Sequence, residues 1–230
     1  MKNLLKANLI LIFLLSFLVS YGQSVRNVDS FSKIKASTSV KVKLIKGDKQ
    51  RVEFKMLKGD ESRLVTEVKD DQLIIKIKSK TLSWGNNAKA AVKVYYTLLT
   101  DIEASAGATI KADEPIVAGD MDVESSSGST IDIEVEAQSI DAEATSGSRL
   151  VLEGSAKSGE FEVSSGAKLD ASDLICERVD ADASSGGNLR VHADKKLNAD
   201  ASSGGSIKYK GSVENVNTDS GWSGKVKRMK

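Results

Sequence analysis

Seven side chains, six of them acidic, stand four residues ahead of a recurring glycine: Glu103, Glu124, Glu143, Glu162, Asp182, Asp200 and Asn217. If the segments carrying them stack, the carboxylates form a row at about 5 Å spacing. In water each neighbouring pair of full charges then costs about 0.8 kcal/mol before screening. Splayed, solvated side chains tolerate that, so one reading is an outward, hydrated ladder. The other is a binding face for a cationic surface or a cation, where carboxylate oxygens suit Ca²⁺. The glycine-and-aspartate nonapeptide of calcium-binding β-rolls is absent, so no metal site is assigned. A carboxylate pair at about 5 Å is also the spacing of a retaining glycosidase. Stacking produces that spacing at every step of such a row, so it does not identify an enzyme.

Other candidates for chemistry are sparse. A catalytic cleft would interrupt the repeat with off-pattern acids, a base and aromatics, whereas Arg149, Arg178 and Arg190 read as scattered. The single histidine, His192, follows Val191 in an alternating segment and is expected to face solvent. It offers no Ser/His/Asp set. Gly186-Gly187-Asn188 and Gly204-Gly205 lack the following helix that a phosphate loop needs. The one cysteine, Cys176, lies in the apolar run Leu174-Ile175-Cys176 and reads as an inert core thiol. No catalytic residue and no cofactor is assigned. Serines flank the glycines (Ser126, Ser127, Ser146, Ser164, Ser165, Ser184, Ser185, Ser202, Ser203), either as a hydroxyl-rich surface or as a corner-packing stack. Trp84, in the stretch Trp84-Gly85-Asn86-Asn87, and Trp222 could stack on a sugar or close the end of the fold.

The elements that must position these groups follow from the glycine spacing. Gly107, Gly128, Gly147, Gly166, Gly186, Gly204 and, more weakly, Gly221 are separated by 21, 19, 19, 20, 18 and 17 residues. Between them apolar and polar residues alternate, as in Ile131, Ile133, Val135 and in Leu189, Val191. That is the two-residue period of a strand, with no sustained helical stripe after residue 23. A period near 19 is too short for a propeller blade of roughly 40 residues. It suits one coil of a β-solenoid, with glycine supplying a positive-φ corner. Ala142, Ala144, Ala181, Ala183, Ala199 and Ala201 fit a narrow interior. The expected fold is all-β: a parallel β-helix of about seven coils over 102–230.

Residues 23–101 are also strand-rich (Val40, Val42, Leu44; Val52, Phe54, Met56; Leu73, Ile75, Ile77; Val92, Val94, Tyr96) but do not share the repeat. They are expected to form a cap or irregular first coils, continuous with the helix in one domain. Residues 1–22 read as a signal peptide: Lys2 and Lys6, an apolar core from Leu9 to Val19, and small residues at Ser20 and Gly22 before a cut at Gln23. No cysteine near the cut supports a lipoprotein anchor, and no later membrane segment is expected. The chain is therefore expected to be exported, to the periplasm, the cell surface or the medium.

The balance of 33 basic and 32 acidic residues argues against blanketing nucleic acid. One His and one Cys exclude His- or Cys-rich zinc sites, iron–sulfur clusters and a disulfide scaffold. Residues 23–101 carry net +8 and residues 102–230 net −9, with four basic residues in the last six. Head-to-tail association would use that split; lysines that keep edge strands from aggregating would explain it equally.

Taken together, Phe31-Ser-Lys-Ile34, Val40-Lys-Val42, Gly47-Asp48, Leu73-Ile-Ile-Lys-Ile77, Val92-Lys-Val-Tyr-Tyr96, Ile102-Glu-Ala-Ser-Ala-Gly107 and the Ser-Gly repeats resemble a family of exported bacterial proteins, the auto-transporter adhesin head GIN domain. The resemblance spans nearly the whole chain after residue 22. It implies a right-handed parallel β-helix in the envelope of Gram-negative bacteria. Many members carry Gly-Asn-Pro near the last coil, where this chain has Gly211-Ser212-Val213. The expected function is non-enzymatic and adhesin-like: recognition of an envelope or extracellular glycan or protein, with Glu103 to Asp200 and Trp222 as the candidate face. A carbohydrate-active β-helix enzyme and a self-associating structural module are the alternatives.

Overall fold

The structure, a computed structural model, describes residues 24–78 and 88–229. The leader at 1–22 and the loop around Trp84 lie outside the described residues. The described residues form eighteen strands and one 3-10 turn, with no α-helix among them. Strands β8 (Asp101–Ser105), β9 (Thr109–Ala112), β10 (Ile116–Val117) and β11 (Asp120–Ser125) build the first regular coil and start the next. Four long strands follow: β12 (Thr130–Ala144), β13 (Arg149–Val163), β14 (Lys168–Ala183) and β15 (Asn188–Ala201). Each pairs in parallel, in near-continuous register, with the strand before and after it. The last coils are β16 (Ser206–Lys210), β17 (Asn215–Ser220) and β18 (Lys225–Arg228). This is the β-solenoid that the spacing predicts.

Two sheet faces meet at the recurring corner. The first holds β8, β11, the C-terminal halves of β12–β15, and β17. The second holds β9, the N-terminal halves of the same long strands, β16 and β18. At the corners from Ala106-Gly107 to Ser203-Gly204 both residues of each pair are left-handed, for example Ser146 at φ 52° and Gly147 at φ 69°. The sequence reading gave positive φ to the glycine alone; the turn instead needs it at two successive positions, the geometry of a tight type I′ reversal. These corners are themselves stacked, each glycine N–H donating to the serine carbonyl of the next coil (Gly128 to Ser146, 3.2 Å; Gly147 to Ser165, 3.1 Å).

The N-terminal residues join this scheme out of order. Strands β2 (Lys33–Ser37) and β3 (Val40–Lys46) form a coil with its own corner at Thr38-Ser39, both left-handed. Without a glycine, that corner escapes a search anchored on Ser-Gly. The coil is stacked between β8/β9 on one side and β6 (Gln72–Ile77) with β7 (Lys89–Tyr96) on the other. The outer end is closed by antiparallel strands: β4 (Arg51–Lys58) on β7, β1 (Ser24–Arg26) on β4, and β5 (Leu64–Lys69) on β6. Antiparallel pairing covers the backbone groups that a parallel coil would leave open at this end.

The interior is continuous and filled by the inward positions of β2 to β16. One inward row reads Ile102, Val123, Ala142, Phe161, Ala181, Ala199. Phe161, 1% exposed, has space because Gly159 is two residues away; a β-carbon at Gly159 would stand 2.5 Å from its ring. We expect Gly159→Ala to destabilise the protein by about 1–2 kcal/mol through overpacking, and Phe161→Leu to restore part of that loss. Denaturant titration of the two single variants and the double variant checks it, and additive losses would refute the shared space.

Candidate functional site

The strand register brings the sequence-predicted acids into one row. Glu103, Glu124, Glu143, Glu162, Asp182 and Asp200 are direct partners on successive coils of the first face. The next member is Asp219, not Asn217. The reason is that the last corner falls at Trp222-Ser223, where Ser223 has φ 58°, so Gly221 occupies the place of Ser202 and not of a corner glycine. A second acidic row runs beside the first, two residues earlier on each strand: Asp101, Asp122, Asp141, Glu160 and Asp180. The face is thus a two-row array of carboxylates, the rows about 7 Å apart along the strands.

Its electrostatics follow from that packing. Burial first, and then repulsion from Glu103 and Glu143, raises the carboxyl of Glu124 above its ordinary range. Glu162 is raised by burial and by Glu143 and Asp182; Asp182 by burial and by Asp200 and Asp180. Among the described residues only the first rung has cationic partners, with Lys35 Nζ at 2.7 Å from Glu103 Oε1 and Lys33 Nζ at 3.9 Å from Asp101 Oδ2. Both lysines come from β2, which places the basic N-terminal coil against the acidic rows. Among the described residues no three His, Cys, Asp or Glu side chains converge as a metal ion would require. The carboxylates form a flat field, not a chelating cup.

The second face is of mixed charge, with acids at Asp132, Glu134 and Glu153, but it gathers four cations in one place. Arg149 and Lys168 are direct neighbours on adjacent coils, as are Arg190 and Lys208. Together with Asn188, Ser206 and Asp170 they line a groove of about 320 Å³. Arg190 Nη1 is 3.2 Å from Asp170 Oδ2. Arg149, Lys168 and Lys208 have no ionic partner among the described residues. The sequence reading missed this groove because it counted arginines alone. The interval of 19 between Arg149 and Lys168, one repeat period, was the signal that joins them.

The remaining candidates are placed as follows. Trp222 sits at the last corner with 94% of its surface exposed, so it does not close the end of the fold. His192 does not face open solvent: 19% of its side chain is exposed, and Nε2 lies 3.3 Å from Asp194 Oδ1. Cys176 is fully buried, and burial, with a smaller contribution from Asp194, pushes its thiol pKa up to about 12. It is therefore an unreactive thiol at neutral pH. The corner serines Ser127, Ser146, Ser165, Ser185 and Ser203 are exposed. The serines that work structurally are others: Ser129 Oγ donates to the Ala104 carbonyl (2.8 Å) and Ser148 Oγ to that of Ser125 (2.6 Å), inside the corner.

Residues 30–212 match the family model described as "Putative auto-transporter adhesin, head GIN domain". Among solved structures, the chain is similar to a "putative adhesin" of Bacteroides fragilis, with TM-score 0.81 and 20% identity over 90% of this chain and 96% of that one. A "putative adhesin" of Parabacteroides distasonis gives TM-score 0.72 and 21% identity over 90% and 96%. Another from Parabacteroides merdae gives 0.71 and 17% over 92% and 98%. At these identities the likeness is one of fold. No curated protein matches the chain.

Proposed function

The chain belongs to the auto-transporter adhesin head GIN domain family, and from that premise we propose that it is an exported, non-enzymatic recognition protein whose second face binds acidic glycans. The observation that carries this reading is the basic groove: four cations on consecutive coils, three of them without an ionic partner among the described residues, around a hollow of about 320 Å³. That volume is at the lower end of ordinary ligand sites. Guanidinium and ammonium groups spaced by the coil repeat present regularly placed donors to the carboxylates of a linear saccharide. Asn188 and Ser206 add neutral hydrogen-bonding groups between them. Export is supported by the leader-like residues 1–22 and by the family. No helix among the described residues is long and apolar enough to cross a membrane.

The acidic rows have a different part in this reading. They repel polyanions from the first face and so orient the rod on an acidic glycan. A glycan array probed with the purified protein, with and without Ca²⁺ and at two salt concentrations, tests the proposal. The expected result is binding to acidic but not neutral oligosaccharides, weakened by salt and indifferent to Ca²⁺. The double substitution Arg149→Ala/Lys168→Ala should weaken binding at least about tenfold, since each charge-assisted contact is worth roughly 1.5 kcal/mol. Glu143→Gln/Glu162→Gln should leave it intact. Binding that is lost with the glutamates and kept without the cations would overturn the assignment of the face, and turnover of any bound saccharide would overturn the non-enzymatic reading.

A further inference from the structure

The two ends of the rod are finished differently. Antiparallel strands cover the N-terminal end, whereas at the other end β17 and β18 pair on one side only among the described residues, with β15 and β16. All six residues of β17 are exposed. Val216, which follows Leu197 in an inward row, is 45% exposed, and Trp222 stands free at the corner between the two strands. This end therefore offers two unpaired backbone edges with apolar groups beside them, a template for strand addition.

We propose that this open end binds a second copy of the chain, head to head, about a two-fold axis through the Trp222-Ser223 corner. Strand direction and charge both favour this arrangement. β17 runs toward the corner and β18 away from it, so a two-fold rotation through the corner lays β17 antiparallel on the partner's β18, and β18 on the partner's β17. Antiparallel pairing then continues both faces across the junction, and the contact is self-complementary as a two-fold interface must be. The outward residues of β17 end in Asp219, the last of the acidic row, whereas β18 carries Lys225 and Lys227 at its outward positions. Like-with-like pairing of β18 is opposed by its own cations, while β17 against the partner's β18 brings Asp219 to a lysine.

The alternation of inward and outward residues selects a register. With Asp219 opposite the partner's Lys225, Thr218 stands opposite the partner's Val226, and Asn217 opposite the partner's Lys227. Inward positions meet inward and outward meet outward, as their partners Ala199, Ile207, Asp200 and Ser206 define them. In this register Trp222 falls on the axis against the partner's Trp222, which gives that exposed indole an apolar contact. The acidic glycan groove on the second face is not part of the contact, so the two proposals stand or fall separately.

Light scattering and sedimentation of the purified protein over a concentration series at low salt provide the test. We expect a dimer, no larger assembly, and dissociation on adding salt. Asp219→Lys should raise the dissociation constant by at least about tenfold, because the symmetry replaces two attractions by two repulsions. Asp219→Lys combined with Lys225→Asp should restore the dimer, and circular dichroism of both variants should match the parent. A protein that stays monomeric at all concentrations, as it would if chain beyond Lys230 covered the edge, overturns the proposal. So does a dimer indifferent to Asp219→Lys, or one the paired exchange fails to restore.

Discussion

Gly154→Ala will destabilise the protein by about 3–5 kcal/mol, a shift in melting temperature of roughly 10 °C for a domain of this size. Gly154 has φ +109°, a conformation that L side chains rarely adopt. A β-carbon there would stand 2.2 Å from the carbonyl oxygen of Val135 and 3.1 Å from its backbone nitrogen and carbon. The obstacle is the main chain of the coil below, which can withdraw only by breaking the parallel register. Gly147→Ala is the control. Its φ of +69° is also left-handed, but nothing lies within 4 Å, so it should cost only about 1–2 kcal/mol. Thermal unfolding of the two variants separates strain from collision. Equal losses would refute the packing argument.

Acidification from pH 7 toward the ordinary carboxylate range will stabilise this protein, through the raised carboxyls of its acidic rows. Asp101, Glu124, Asp141, Glu162 and Asp182 all have carboxyl pKa values raised above the ordinary 3.8 or 4.5, burial being the first cause in each. The folded protein therefore holds these protons more tightly than the unfolded chain does. Stability must fall as pH rises from the ordinary values through the raised ones, and is then level once all are ionised. The effect is small because these groups are largely in contact with solvent. At the acid limit Glu177 works the other way: a hydrogen bond from Lys195 and its charge lower the carboxyl, and that contribution disappears as the pH drops through its depressed value. Added salt at pH 7 should also stabilise, by screening the rows. Glu143→Gln should do so at low salt by about 0.5 kcal/mol, since Glu143 raises the carboxyls of both Glu124 and Glu162. Melting temperatures across pH 4.5–7.5 would refute this if they were flat or rose with pH.

These two expected outcomes depend on features that differ in how far the sequence reveals them. The corner glycines are what make the repeat visible, yet Gly107, Gly128, Gly147, Gly166 and Gly186 have open space around the missing β-carbon. Gly154, Gly205, Gly211 and Gly224, whose β-carbons would lie 2.0–2.2 Å from a carbonyl oxygen of another coil, carry no sign of it in the repeat. A turn conformation is local and recurs with the turn; a collision with the neighbouring coil depends on a contact some twenty residues away. The same distinction explains Asp219. Counting back from Gly221 reaches Asn217, whereas hydrogen bonding to β15 sets the register and continues the row through Asp219.

The sequence by itself determined the all-β solenoid, its period, the inward alanines and the first acidic row, because a two-residue alternation and a positive-φ corner are properties of neighbouring residues. Only the tertiary structure decided that β2 and β3 lie between β6–β7 and β8–β9. It also decided that a second acidic row stands beside the first, and that Arg149, Lys168, Arg190 and Lys208 share one groove. Net charges of +8 and −9 along the chain look like two ends of a rod. In the fold, strands distant in sequence share a face, so the two acidic rows stack on one side of the corner, and Arg149, Lys168, Arg190 and Lys208 gather on the other.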